Sequence, residues 1–227
     1  MRKITDIYRD HKIMPNLQTH QLRVAMVAQM ICDNMNIPVN KDNVISACLL
    51  HDMGNIIKFN LGYFPHFTEL EGSKYWQKVQ DEYITKYGED EHKATLMIIK
   101  ELGLSEDISK LVDCIAFFTA DENAKGQDFN KKICAYADMR VNPTGIVSLE
   151  ERLGDLRNRY GKTENSSSIA SRGGAYPVNP GVDEQFIFES SLREIEKQIF
   201  AHSKIKPEDV NDESVSLKIE DLKEYFL

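Results

Sequence analysis

Residues 47–55 read ACLLHDMGN, a histidine and an aspartate side by side at the end of an apolar run. Cys48 lies three residues before His51 and Val44 seven before it, the spacing of one helix face. Asn40 to Asn43 can open that helix, and Gly54 falls where it would weaken or end. An imidazole and a carboxylate therefore meet at a core-facing stripe. A charge there needs a partner or is neutralised, because desolvation costs several kcal/mol.

The pattern recurs on both sides of this stretch. In LQTHQLRVAMVA (17–28), His20 shares a helical stripe with Val24, Val27 and Ile31. In ICAYADMRV (133–141), Asp138 follows Cys134 by four residues and precedes Val141 by three. Apolar residues recur at helical spacing nearly throughout and no period-two strand stands out, so the expected fold class is all-α, a helical bundle with additional C-terminal helices. The spacing predicts helices over 17–36, from Asn40 through His51, around 76–86, over 91–102 ending at Gly103, from Ser105 to about 118, over 130–141 and after Ser148. LGYFPHF (61–67), which contains His66, reads as a loop, and DEYITKYGEDEHK (81–93) as a solvated charged face.

The clearest break is GKTENSSSIASRGGAYPVNPGV (161–182), rich in Gly, Ser, Asn and Pro. It divides the chain into a helical core at 1–160, a connector or lid at 161–182 and a C-terminal helical extension at 183–227 packed on the core. As a lid it would bring Arg159, Lys162 and Arg172 toward a phosphate. In the extension, Phe186, Phe188, Leu192, Ile195 and Ile199 form an amphipathic stripe that can cover the core or a second copy in a homodimer.

The net charge of −8 and the sequence pI of about 5.3 disfavour a nucleic-acid duplex as partner. A small anion remains compatible, since a metal and a few cations can reverse the field locally. Cys32, Cys48, Cys114 and Cys134 are far apart in apolar runs, as buried thiols of a reducing compartment would be. No signal peptide or membrane segment is evident, so the expected location is cytoplasmic.

Ionisable side chains on separate core-facing helices can share one cation. Neighbours such as His51 and Asp52 diverge by about 100° around a helix, close to the roughly 90° between ligand positions of an octahedral ion. Two imidazoles with two carboxylates leave positions for water and substrate, and suit one divalent ion (Mn, Fe, Co, Mg, Ni or Zn) better than a closed structural zinc site. The alternatives are a chance dipeptide at 51–52, a core histidine at 20, and an Asp138 paired with Arg140.

The order H…HD…D resembles the HD superfamily of metal-dependent phosphohydrolases, over roughly residues 15 to 142. The resemblance implies a helical-bundle core, metal ligation by His20, His51, Asp52 and Asp138, and hydrolysis of a nucleotide or other small phosphate ester. Some branches hold a second metal through two further histidines. EHKATLMIIKELGL (91–104) is similar to the first of those segments and makes His92 a candidate ligand, whereas Phe117 and Phe118 stand where the second histidine is expected. Asn55 stands where many members have Lys, so Arg23, Lys58 or Arg140 would supply the phosphate-binding charge, with Asp52 orienting water beside the ion. A metal-containing nucleotide-binding or regulatory module with little turnover is the alternative reading.

Overall fold

The computed structural model describes residues 1–62, 70–160, 182–216 and 219–227. Most of the 61–67 loop and all but Val182 of the 161–182 segment lie outside these residues, so the lid reading and His66 do too. Among the described residues there is no strand, only three isolated bridges between extended residues. The helices are α1 (Ile4–Asp10), α2 (Pro15–Asn34), α3 (Lys41–Leu50), α4 (Ser73–Tyr87), α5 (Glu91–Glu101) and α6 (Glu106–Asp113). They continue with α7 (Ala120–Lys125), α8 (Phe129–Asp138), α9 (Leu149–Tyr160), α10 (Val182–Ala201), α11 (Asp212–Ser216) and α12 (Ile219–Lys223).

Local chemistry sets the boundaries. Pro15 occupies the first turn of α2, where its missing N–H is no loss. The side chains of Asn40, Asp90, Ser105 and Asp128 accept hydrogen bonds from the opening amides of α3, α5, α6 and α8. Ser148 and Glu151 form a reciprocal capping box at α9, with bonds of 3.2 and 2.8 Å. Gly103, at φ 70°, closes α5 in the left-handed conformation that glycine tolerates.

The helix expected from Ser105 to about 118 instead stops at Asp113. The Cys114 carbonyl accepts bonds from Thr119 Oγ1 (2.7 Å) and Asn123 Nδ2 (2.9 Å), which turn the chain into a short 3₁₀ segment and α7.

Helices α2, α3 and α8 pack on one another and form the frame of the core, with α6 against α3 and α8. Val24, Val27, Ile31, Val44, Leu49, Ile133 and Cys134 are fully buried between them. Helix α10 lies on α7 and α8, α11 and α12 lie on α2, and Arg2 exchanges two backbone bonds of 3.0 Å with Leu227. Phe188, Leu192, Ile195 and Ile199 are buried in this same core, so the amphipathic stripe that suggested a second copy is already covered within the chain. Phe186 does not belong to that stripe; it is 71% exposed.

Arg140 ties the extension down. Its guanidinium donates to the carbonyls of Val147, Pro207 and Val210 and to the Tyr136 hydroxyl. It is thus neither a partner of Asp138 nor available to a substrate, contrary to both expectations for it.

Candidate metal centre

The HD dyad sits where α3 ends rather than inside a helix. The last helical residue is Leu50, and His51 forms the C-cap. The chain then makes a turn followed by a 3₁₀ segment, Asn55–Lys58. Gln80 of α4 pins this segment by donating to the carbonyls of Ile56 (2.7 Å) and Phe59 (2.9 Å). Gly54 has an ordinary negative φ of −91°, so the reason for a glycine is not a left-handed cap. A Cβ at this position would lie 2.2 Å from the Glu91 carbonyl oxygen and 3.0 Å from the Thr95 amide, both backbone atoms of α5. The dyad turn approaches α5 closely, and the Gly54 N–H donates to Thr95 Oγ1 at 2.9 Å.

Four of the residues predicted from sequence converge. Asp138 is the last residue of α8, His51 caps α3 and His20 comes from the second turn of α2. His20 Nε2 is 3.0 Å from Asp138 Oδ1 and 3.6 Å from Asp52 Oδ2. His51 Nε2 is 3.3 Å from the same Asp138 oxygen and 3.7 Å from the same Asp52 oxygen. The candidate ligand atoms of His20, His51 and Asp52 all lie within 4.8 Å of one another, a group able to hold a metal ion. The C-terminal ends of α3 and α8 both meet the cluster, and the negative ends of their helix dipoles favour a cation there.

The tautomer of His51 follows from its surroundings. Nδ1 lies 2.8 Å from the Cys48 carbonyl and must donate to it, leaving the lone pair on Nε2. That Nε2 is buried and has no hydrogen-bond partner among the described residues, its contact with Asp138 being ionic without hydrogen-bond geometry. Burial opposes charge on His51, but Asp52 and Asp138 outweigh it and push its pKa up to about 10. Burial would raise Asp138, yet the adjacent imidazoles of His20 and His51 hold its carboxyl well below the usual range. Without an ion, a proton on His51 offsets carboxylate charge in the cluster. With neutral imidazoles, the four side chains carry two negative charges, the complement of a divalent cation.

The other expected residues are placed differently. His92 is not part of the cluster. Its neighbour Glu91 takes the inward face of α5 and is 5% exposed, so His92 turns toward α6 and pairs with Asp113 at 3.0 Å. Lys58 lies 3.5 Å from Glu91, whose other carboxylate oxygen is buried without a hydrogen-bond partner among the described residues. Burial raises the Glu91 pKa, and Lys58 opposes that shift. Arg23, one turn after His20 and partly buried, has no hydrogen bond or ion pair among the described residues.

Sequence reasoning missed Glu91, hidden in a charged run that looked wholly solvated, and Gln21, whose Oε1 accepts the Asp52 amide at 3.2 Å. No local signal marks either one.

The HD-domain family model matches residues 17–139, more than half of the chain and the span that carries all four converging side chains. The chain belongs to the HD-domain family. Members of this family are generally metal-dependent hydrolases, and the cluster in this HD domain is compatible with a divalent ion of unspecified identity. No curated protein and no solved structure gives a significant match to the chain. No helix among the described residues is long and apolar enough to cross a membrane.

Proposed function

We propose that this HD-domain protein hydrolyses a nucleotide or another small phosphate ester, with His20, His51, Asp52 and Asp138 holding one divalent ion. The observation that carries the reading is the buried Nε2 of His51. With Nδ1 committed to the Cys48 carbonyl, this atom has no hydrogen-bond partner among the described residues and faces Asp52, Asp138 and a second imidazole. When bound, a divalent ion supplies Lewis acidity toward a phosphoryl oxygen and acidifies a water molecule.

The protein's own groups do the rest. Asp52, whose carboxylate is partly exposed and lies 3.6 Å from His20 Nε2, orients the attacking water. Arg23, without a hydrogen bond or ion pair among the described residues, supports charge on the phosphoryl group, as a transition state of this kind requires. Lys58 is a second cation for the same task, steadied by Glu91. The net charge of −8 keeps polyanionic duplexes away while this local set receives a small anion.

Phosphate release from a panel of nucleotides and phosphomonoesters tests the proposal. Metal-stripped protein receives Mn, Co, Ni, Mg or Zn, with Asp52→Ala as control. Metal-dependent release that disappears in the control is expected. No release with any metal, while nucleotides still raise the melting temperature, would refute the hydrolase and leave a nucleotide-binding module.

A further inference from the structure

Gln21 directly follows His20 on α2 and is completely buried. Its side chain crosses to the end of α3, where Oε1 accepts the backbone N–H of Asp52 at 3.2 Å. The carbonyl that would receive this amide in a continuing helix belongs to Cys48, four residues earlier. That carbonyl is occupied by His51 Nδ1 at 2.8 Å. The Asp52 amide does not continue the helix to that carbonyl but donates to Gln21 instead.

The other half of the carboxamide gains nothing. Gln21 Nε2 is buried with no acceptor among the described residues, which is rare for a buried donor. A leucine of similar size would avoid leaving that group unpaired. What a glutamine contributes here is its oxygen, and that oxygen acts on the backbone between two of the four converging side chains.

We propose that Gln21 is a positioning residue of the metal centre. By holding the Asp52 amide, it fixes the backbone that joins His51 to Asp52 where the helix ends, and so sets the direction of the Asp52 carboxylate. The inference rests on the reading of this cluster as a metal site.

The test is a calorimetric Mn²⁺ titration of metal-stripped wild type, Gln21→Leu, Gln21→Glu and His51→Ala, with the melting temperature of each metal-free protein recorded alongside. Gln21→Leu is expected to weaken Mn²⁺ binding at least tenfold. Gln21→Glu keeps an acceptor at the same reach and is expected to bind within threefold of wild type, or tighter. A purely structural role would lower the melting temperature of Gln21→Leu and leave its Mn²⁺ affinity intact. Equal affinity in wild type and Gln21→Leu therefore overturns the inference while the metal site stands. Failure of wild type itself to bind Mn²⁺, like His51→Ala, removes the metal site and the inference together. Should Gln21→Leu not fold, Gln21→Ser removes the same reach while staying polar, and the same comparison applies.

Discussion

Gly54→Ala should be among the most damaging single-methyl changes in the chain, for a reason visible only in the packing. The added Cβ would lie 2.2 Å from the Glu91 carbonyl oxygen, 2.9 Å from the Ala94 Cβ and 3.0 Å from the Thr95 amide nitrogen. Two of the three are backbone atoms of α5, so no side-chain rotation relieves the contact, and α5 and the dyad turn must separate by about an ångström. Overpacking of this kind costs about 1–3 kcal/mol. Stretching the 2.9 Å bond from the Gly54 amide to Thr95 Oγ1 removes about 1 kcal/mol more. The backbone offers little compensation. At φ −91° alanine is unstrained, so Gly→Ala returns only about 0.4–1 kcal/mol by restricting the unfolded chain. The net expectation is a loss of about 1–3 kcal/mol, or roughly 2–12 °C in melting temperature for a protein of this size. Urea unfolding of metal-free wild type and variant gives the difference directly. Asp52 is two residues away, so weaker metal binding should accompany the loss. A variant as stable as wild type, or more stable, would refute the close-approach argument and return Gly54 to the role of an ordinary helix end.

Other perturbations probe the cluster and its support. His51 has a pKa raised from 6.5 to about 10 in the folded protein, so its proton stabilises the metal-free fold fully below pH 6.5 and progressively less as the pH rises toward 10. The melting temperature of metal-free protein should fall across that window, and a flat profile would show that His51 is not charged there. Protons and metal compete for the same atoms, so calorimetry in buffers of different ionisation enthalpy should detect proton release on metal uptake, with affinity declining as the pH is lowered. Arg140→Ala should cost at least about 3 kcal/mol in urea unfolding, because it leaves the carbonyls of Val147, Pro207 and Val210 without their charged donor; a loss under 1 kcal/mol would contradict its anchoring role. His92→Ala should leave metal stoichiometry unchanged and cost less than about 1 kcal/mol, since its pairing with Asp113 is solvent-accessible. A fall in bound metal would return His92 to the ligand set.

The sequence by itself determined the all-helical class, most helix boundaries and the identity of the four converging side chains. Each depends on local periodicity or capping. His20, His51 and Asp138 lie on stripes whose apolar members are buried, and Asn40 and Ser105 cap the helices they precede. A helical stripe reports which side of a residue faces inward, and an ionisable group on that side needs a partner wherever the chain folds.

Only the tertiary structure decided what stands opposite each position. Gln21 and Asp52 are 31 residues apart, and Gly54 and Thr95 are 41 apart. Periodicity carries no information about such pairings. The same limit explains why Glu91 rather than His92 faces the dyad turn. Adjacent helical residues diverge by about 100°, and the packing of α5 against the 3₁₀ segment after the dyad selected which of the two turned inward. Arg140 follows this rule as well. Its local sequence offered Asp138 as a partner, but the C-terminal segment brought the carbonyls of Pro207 and Val210 to a guanidinium that also donates to the Val147 carbonyl and the Tyr136 hydroxyl.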